Sequence, residues 1–115
     1  MNIQIYALKR DFDVQKAERF FKERRLPYQF VDLSKKGMGL KELEVVRRSV
    51  GLQAMIKLSD KDWESHYIAQ LTDEKAALEE LAAKPQLLKL PIVRNGQTAA
   101  VGFQPEVWQS WIDKA

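Results

Sequence analysis

Ile3-Gln4-Ile5-Tyr6-Ala7-Leu8-Lys9-Arg10-Asp11-Phe12-Asp13-Val14-Gln15-Lys16-Ala17 reads as a β-strand running through a short basic turn straight into a helix. Ile3, Ile5 and Ala7 fall on one side and Gln4 and Tyr6 on the other, residue types that suit a pleated surface inside a sheet. Asp13 is a suitable N-cap. Val14, Ala17, Phe20 and Phe21 then recur at helical spacing, while Gln15, Lys16, Glu18, Arg19, Lys22 and Glu23 cover the opposite face, so the helix should end near Arg24 or Arg25. A junction of this kind gathers open N–H groups at the positive end of a helix dipole and suits a thiolate, an oxyanion or a carboxylate. The chain supplies a carboxylate of its own, Asp11, which should repel other anions.

Working outward, Pro27 stops the helix and Tyr28 to Leu33 resumes with β-branched and aromatic residues. Strand, helix and strand make a right-handed βαβ unit with parallel strands. Lys35-Lys36-Gly37-Met38-Gly39 is a turn, and Leu40, Leu43, Val46 and Val50 line one face of a helix that Gly51 can terminate. Beyond it, Ala54-Met55-Ile56-Lys57-Leu58 is short and apolar, and Ser59-Asp60-Lys61-Asp62-Trp63 offers a cap before an aromatic, consistent with small helices. Thr72 is read as the cap of a helix through Ala83, with Ala76, Ala77, Leu78 and Leu81 inward. Residues 38–83 thus form a helical insert. Asn95-Gly96 predicts a hairpin whose antiparallel strands are Pro91 to Arg94 and Gln97 to Val101. Pro105 opens a final helix with Val107, Trp108, Trp111 and Ile112 as its apolar stripe. The fold class is α/β: one domain over residues 1–115 with a mixed four-stranded sheet.

Composition narrows the chemistry. The 115 residues suffice for one core. There is no cysteine, which excludes disulfides, thiolate metal sites and thiol nucleophiles. The single histidine, His66, leaves too little for a His-rich metal site, and no metal is expected. A formal charge of +3, with the basic pairs Lys9-Arg10, Arg24-Arg25, Lys35-Lys36 and Arg47-Arg48 scattered among acids, does not make a nucleic-acid stripe. No apolar run approaches the roughly 20 residues of a membrane span, and the N-terminus lacks a secretory pattern. A cytoplasmic monomer with no membrane partner is expected.

The run from Lys9 to Ala17 resembles the nucleophile loop of the arsenate reductase (ArsC) and Spx family, a thioredoxin-fold group whose pattern here is Cys-x-x-Ser or Cys-x-x-Cys. In Spx members a basic helix start with Lys-Ala follows, as Lys16-Ala17 does here. Phe20 to Leu33 looks like the family's approach to its second strand. Lys84-Pro85-Gln86-Leu87-Leu88-Lys89-Leu90-Pro91-Ile92-Val93 looks like the approach to the third, which begins at a cis proline facing the nucleophile loop, so the resemblance implies a thioredoxin-like fold and a cis Leu90–Pro91 bond. Asp11 falls where the reactive Cys stands, and Val14 where many members place a second Cys.

Arsenate reductases hold the oxyanion with three arginines: one from the helical insert, one before the cis proline and one before a proline opening the last helix. Arg47 stands where it would match the first, but Leu90 precedes Pro91 and Gln104 precedes Pro105. Leucine offers no donor and glutamine only a neutral amide in place of a charged planar fork. The resemblance therefore implies a redox-inactive member with no catalytic residue, in which Asp11, Val14, Leu90 and Gln104 are degenerate positions and Lys9, Arg10, Asp11, Arg47, Leu90 and Pro91 are the candidates for a binding cleft. Two roles follow from it. One is a regulatory module with a protein partner, as Spx members contact RNA polymerase. The other is residual binding of glutathione or an extended peptide by strand-like pairing, in a family whose activity is arsenate reduction or glutathione-dependent, glutaredoxin-like thiol chemistry. Glutathione is the one cofactor implied.

Overall fold

The strand β1 (Ile3–Ala7) carries a core on each face. Ile3, Ile5 and Ala7 pack with Val14, Ala17, Phe20, Phe21, Val93, Ala100 and Trp108, whereas Tyr6 enters a second cluster with Leu43, Val46, Met55, Ile68, Leu81, Leu88 and Ile92. The computed structural model describes residues 1–58 and 63–115, Trp63 by its backbone alone. After β1 come α1 (Phe12–Glu23), β2 (Tyr28–Asp32), α2 (Leu40–Val50), α3 (Leu52–Met55), α4 (Trp63–Ala69), α5 (Glu74–Ala83), β3 (Ile92–Asn95), β4 (Thr98–Val101) and α6 (Pro105–Lys114). The sheet runs β2-β1-β3-β4. β1 is parallel to β2 from Ile3↔Tyr28 to Ala7↔Asp32 and antiparallel to β3 from Ile3↔Asn95 to Tyr6↔Ile92. Helices α1 and α6 cover one face and α2 to α5 the other, so each helix buries one stripe against a sheet that is apolar on both sides.

The expected mixed four-stranded sheet is present, with β1 beside the strand that follows Pro91, and the Leu90–Pro91 bond is cis. Several local readings are corrected. The cap of α1 is Asp11, not Asp13: Asp11 is extended at φ −76° and ψ −173°, its carboxylate accepts from the Val14 N–H, and Asp13 lies inside the first turn. Both aspartates suit a cap. The earlier one leads because it sits where the chain leaves the basic turn in extended form, and its C=O also accepts from Gln15 N–H at 3.0 Å.

Asp73, not Thr72, caps α5, where its carboxylate reaches the N–H groups of Lys75 and Ala76. A charged acceptor meets the helix dipole better than a hydroxyl. The hairpin centres on Gly96-Gln97, with Asn95 paired to Thr98 inside the ladder. Gly96 alone of the two has positive φ, +59°, as a type II′ turn requires. Strand β3 starts at Ile92, one residue after the proline, and β4 at Thr98. Val107 of the expected α6 stripe is exposed, and Trp108 alone is fully buried, with Trp111 and Ile112 packed at its margin. The reading of Ser59 to Asp62 as a cap lies outside the described residues.

Candidate functional site

The end of β1, the turn before α1 and the approach to β3 enclose a cavity of 390 Å³. Its polar lining is Lys9, Asp11, Asp13, Lys57, Gln86 and Lys89, over an apolar floor that includes Leu8, Leu88 and Leu90. Asp11 Oδ1 accepts from Val14 N–H at 3.0 Å, so the place at which a helix N-terminus receives an outside anion is taken by the chain's own carboxylate. Gln15 Nε2 donates to the Arg10 carbonyl at 3.1 Å and closes the turn from the helix side.

Of the residues singled out from the sequence, Lys9, Asp11 and Leu90 meet in this cavity, and Pro91 is buried behind Leu90. Leu90 lies outside β3, and its backbone N–H and C=O take no backbone partner among the described residues. The other candidates are elsewhere. Arg10 turns back along α1: its Nε donates to Glu18 Oε1 at 3.0 Å and its guanidinium lies 4.0 Å from the centre of the Phe30 ring. Glu18, buried, also accepts from the Tyr28 hydroxyl at 2.7 Å. Burial of that phenol, then the Glu18 hydrogen bond, pushes Tyr28 up to about 12.

Arg47 pairs with Glu44 and, at 3.0 Å, with Glu74 on α5, which takes its fork out of the cleft. Val14 is fully buried among the α1 core residues. Gln104 lines a separate cavity of 390 Å³ beside Val50, Ala54 and Val107, and its Nε2 donates to the Val101 carbonyl at 3.3 Å. Lys89 borders both cavities.

Sequence reasoning missed Asp13 in this setting, and with it Lys57, Gln86 and Lys89. Lys57 and Lys89 are brought to the same cavity by an antiparallel bridge between Ile56 and Leu88, in which Lys57 N–H donates to Leu87 O and Lys89 N–H to Met55 O, both at 2.8 Å. Each sits next to a buried apolar residue in a short run, the weakest kind of strand signal, and nothing local says that two such runs pair across more than thirty intervening residues. The outcome is three ammonium groups and two carboxylates around an open backbone segment. It offers charge and strand-like pairing to a ligand and no thiol. Among the described residues no group of three or more His, Cys, Asp or Glu is arranged to hold a metal, and no helix is long and apolar enough to cross a membrane.

A βαβ unit, a helical insert, a hairpin led by a cis proline and a closing helix define a thioredoxin-like protein, here without sulfur at its junction. The ArsC family model matches residues 13–111, and the chain belongs to the ArsC family. An uncharacterized protein of Haemophilus influenzae is 24% identical over 110 residues, covering 94% of this chain and 96% of its own. Among solved structures, an arsenate reductase from Vibrio cholerae is similar with a TM-score of 0.77 and 21% identity, covering 96% of this chain and 97% of its own. An arsenate reductase (ArsC) related protein from Brucella melitensis has a TM-score of 0.65 at 21% identity over 97% and 95% of the two chains. At such identity these structures speak for the fold.

Proposed function

We propose that this chain is a non-catalytic, redox-inactive binding module of the ArsC family, working through the cavity at the β1–α1 junction. The observation that carries the reading is the 3.0 Å bond from Val14 N–H to Asp11: the family's nucleophile position holds a cap instead. With no cysteine in the chain and Arg47 committed to Glu44 and Glu74, neither thiolate attack nor clamping of an oxyanion has its groups. The wild-type chain should therefore give no arsenate turnover with glutathione and glutaredoxin, and a rate above background would end this reading.

Three lysines around the open Leu90 backbone favour an extended ligand with carboxylates, for which reduced glutathione is the family's probe. Calorimetry should record binding that Lys57→Gln and Lys89→Gln each weaken; no heat at millimolar glutathione would remove the small-peptide form of the proposal. A protein partner is the other form, and RNA polymerase is the one to try first. Retention of the purified chain on immobilised bacterial RNA polymerase would support an Spx-like role in regulation, and elution with the void volume would count against it.

A further inference from the structure

Along α2, whose last turn lies beside the hairpin through Arg48 and Ser49, a cavity of 550 Å³ collects Lys41, Arg48 and Arg94. Among the described residues none of the three has a carboxylate within ion-pair distance. Arg94 is held from below instead. Its Nε donates to Gln4 Oε1 at 3.0 Å and Nη2 bonds the same oxygen, which is also 2.9 Å from the Tyr6 hydroxyl. That hydroxyl in turn lies 2.7 Å from Glu42 Oε2, and Glu42 Oε1 accepts from Gly39 N–H at 3.2 Å.

One edge of the Arg94 guanidinium is thus fixed by a part-buried polar chain, and among the described residues Nη1 has no hydrogen-bond partner. Arg48 spends one Nη2 bond, at 3.2 Å, on the neutral amide oxygen of Gln97. Glu44, the one carboxylate in the lining among the described residues, is engaged by Arg47, although it also feels the charge of Arg48. Leu40 and Val45 supply an apolar wall.

We infer that this cavity binds a small organic phosphate monoester, its dianionic head between Arg48, Arg94 and Lys41 and its organic part against Leu40 and Val45. Planar guanidinium forks match tetrahedral oxyanions, and a head of about −1.5 to −2 charge with three acceptor oxygens answers three unpaired cations better than one carboxylate does. The site is independent of the junction cavity and of the function proposed there.

The test is an amide-resolved NMR titration of the whole chain with phenyl phosphate, inorganic phosphate and benzoate at fixed ionic strength. Phenyl phosphate should shift Lys41, Arg48 and Gln97 saturably and bind about tenfold tighter than either comparison anion. Arg48→Gln and Lys41→Gln, each checked for an unchanged unfolding midpoint, should each weaken it about tenfold, whereas Lys57→Gln should leave it unchanged. Saturable shifts confined to Lys57 and Lys89, equal affinity for benzoate, indifference to Arg48→Gln and Lys41→Gln, or no saturation at all would each overturn the assignment.

Discussion

Asp11 does the work of a helix cap, and its replacement reads out that role directly. Asp11→Ala removes the acceptor of the Val14 N–H and should destabilise the chain by about 1 kcal/mol in urea unfolding, whereas Asp11→Asn, which keeps an oxygen in place, should lose less. An Asp11→Ala variant as stable as the parent would mean that the cap is idle. Asp11→Cys should create a thiol at a helix N-terminus beside Lys9, more reactive toward iodoacetamide than a free cysteine. The activation comes from the helix and Lys9. Arg10 contributes little, because Glu18 and Phe30 hold its guanidinium on the other side of the turn.

At the scale of the element, the end of α1 carries a conformational cost. Arg25 N–H donates to Lys22 O and Leu26 N–H to Phe21 O, the paired bonds of a Schellman ending, with Arg25 itself at φ +56°. A non-glycine residue in that region costs about 1–2 kcal/mol, against the roughly 0.5–1 kcal/mol of chain entropy that glycine adds to the unfolded state. Arg25→Gly should therefore raise the unfolding midpoint; a fall would show that the Arg25 side chain supplies more than its backbone loses. The tyrosines of β1 and β2 set the alkaline behaviour. Burial and a carboxylate neighbour raise the pKa of Tyr6 and bring Tyr28 to about 12, so the folded chain keeps protons that the unfolded chain gives up near pH ~10. Stability from this source is whole below that pH and falls as pH rises toward about 12, because the native state then binds more protons than the unfolded one. Tyr28→Phe should flatten that decline in a series of unfolding curves at rising pH; an unchanged slope would mean that Tyr28 titrates alike in both states.

Across the whole molecule, the positions that the resemblance links to arsenate chemistry do not all open on one cavity. Asp11 and Leu90 share one cavity, Gln104 opens on another, and Arg47 faces α5. Asp11→Cys alone should show no arsenate turnover, since each missing preorganised donor typically costs about 10²- to 10³-fold. Adding Leu90→Arg places a fork in the same cavity, while adding Gln104→Arg should bring no further gain. Steady-state assays of the single, double and triple variants separate these contributions, and robust turnover by the single variant would show that the clamps are dispensable.

The architecture was legible because it rests on periodicity and punctuation. Alternation in Ile3 to Ala7, the helical spacing from Val14 to Phe21, Asn95-Gly96 and the two prolines at 91 and 105 are local signals, and each constrains the backbone where it stands. The absence of cysteine was likewise legible, and no packing can supply a thiol. Side-chain direction was not legible. Which of two neighbouring acids caps a helix and which acid Arg10 meets are set by how the chain turns there, and that Arg47 meets Glu74 and that Ile56 pairs with Leu88 to bring Lys57 and Lys89 to one cavity depend on contacts between segments distant in sequence. Long cationic side chains cost little to turn and follow the nearest carboxylate, so only the tertiary arrangement decides which charges remain open to a ligand.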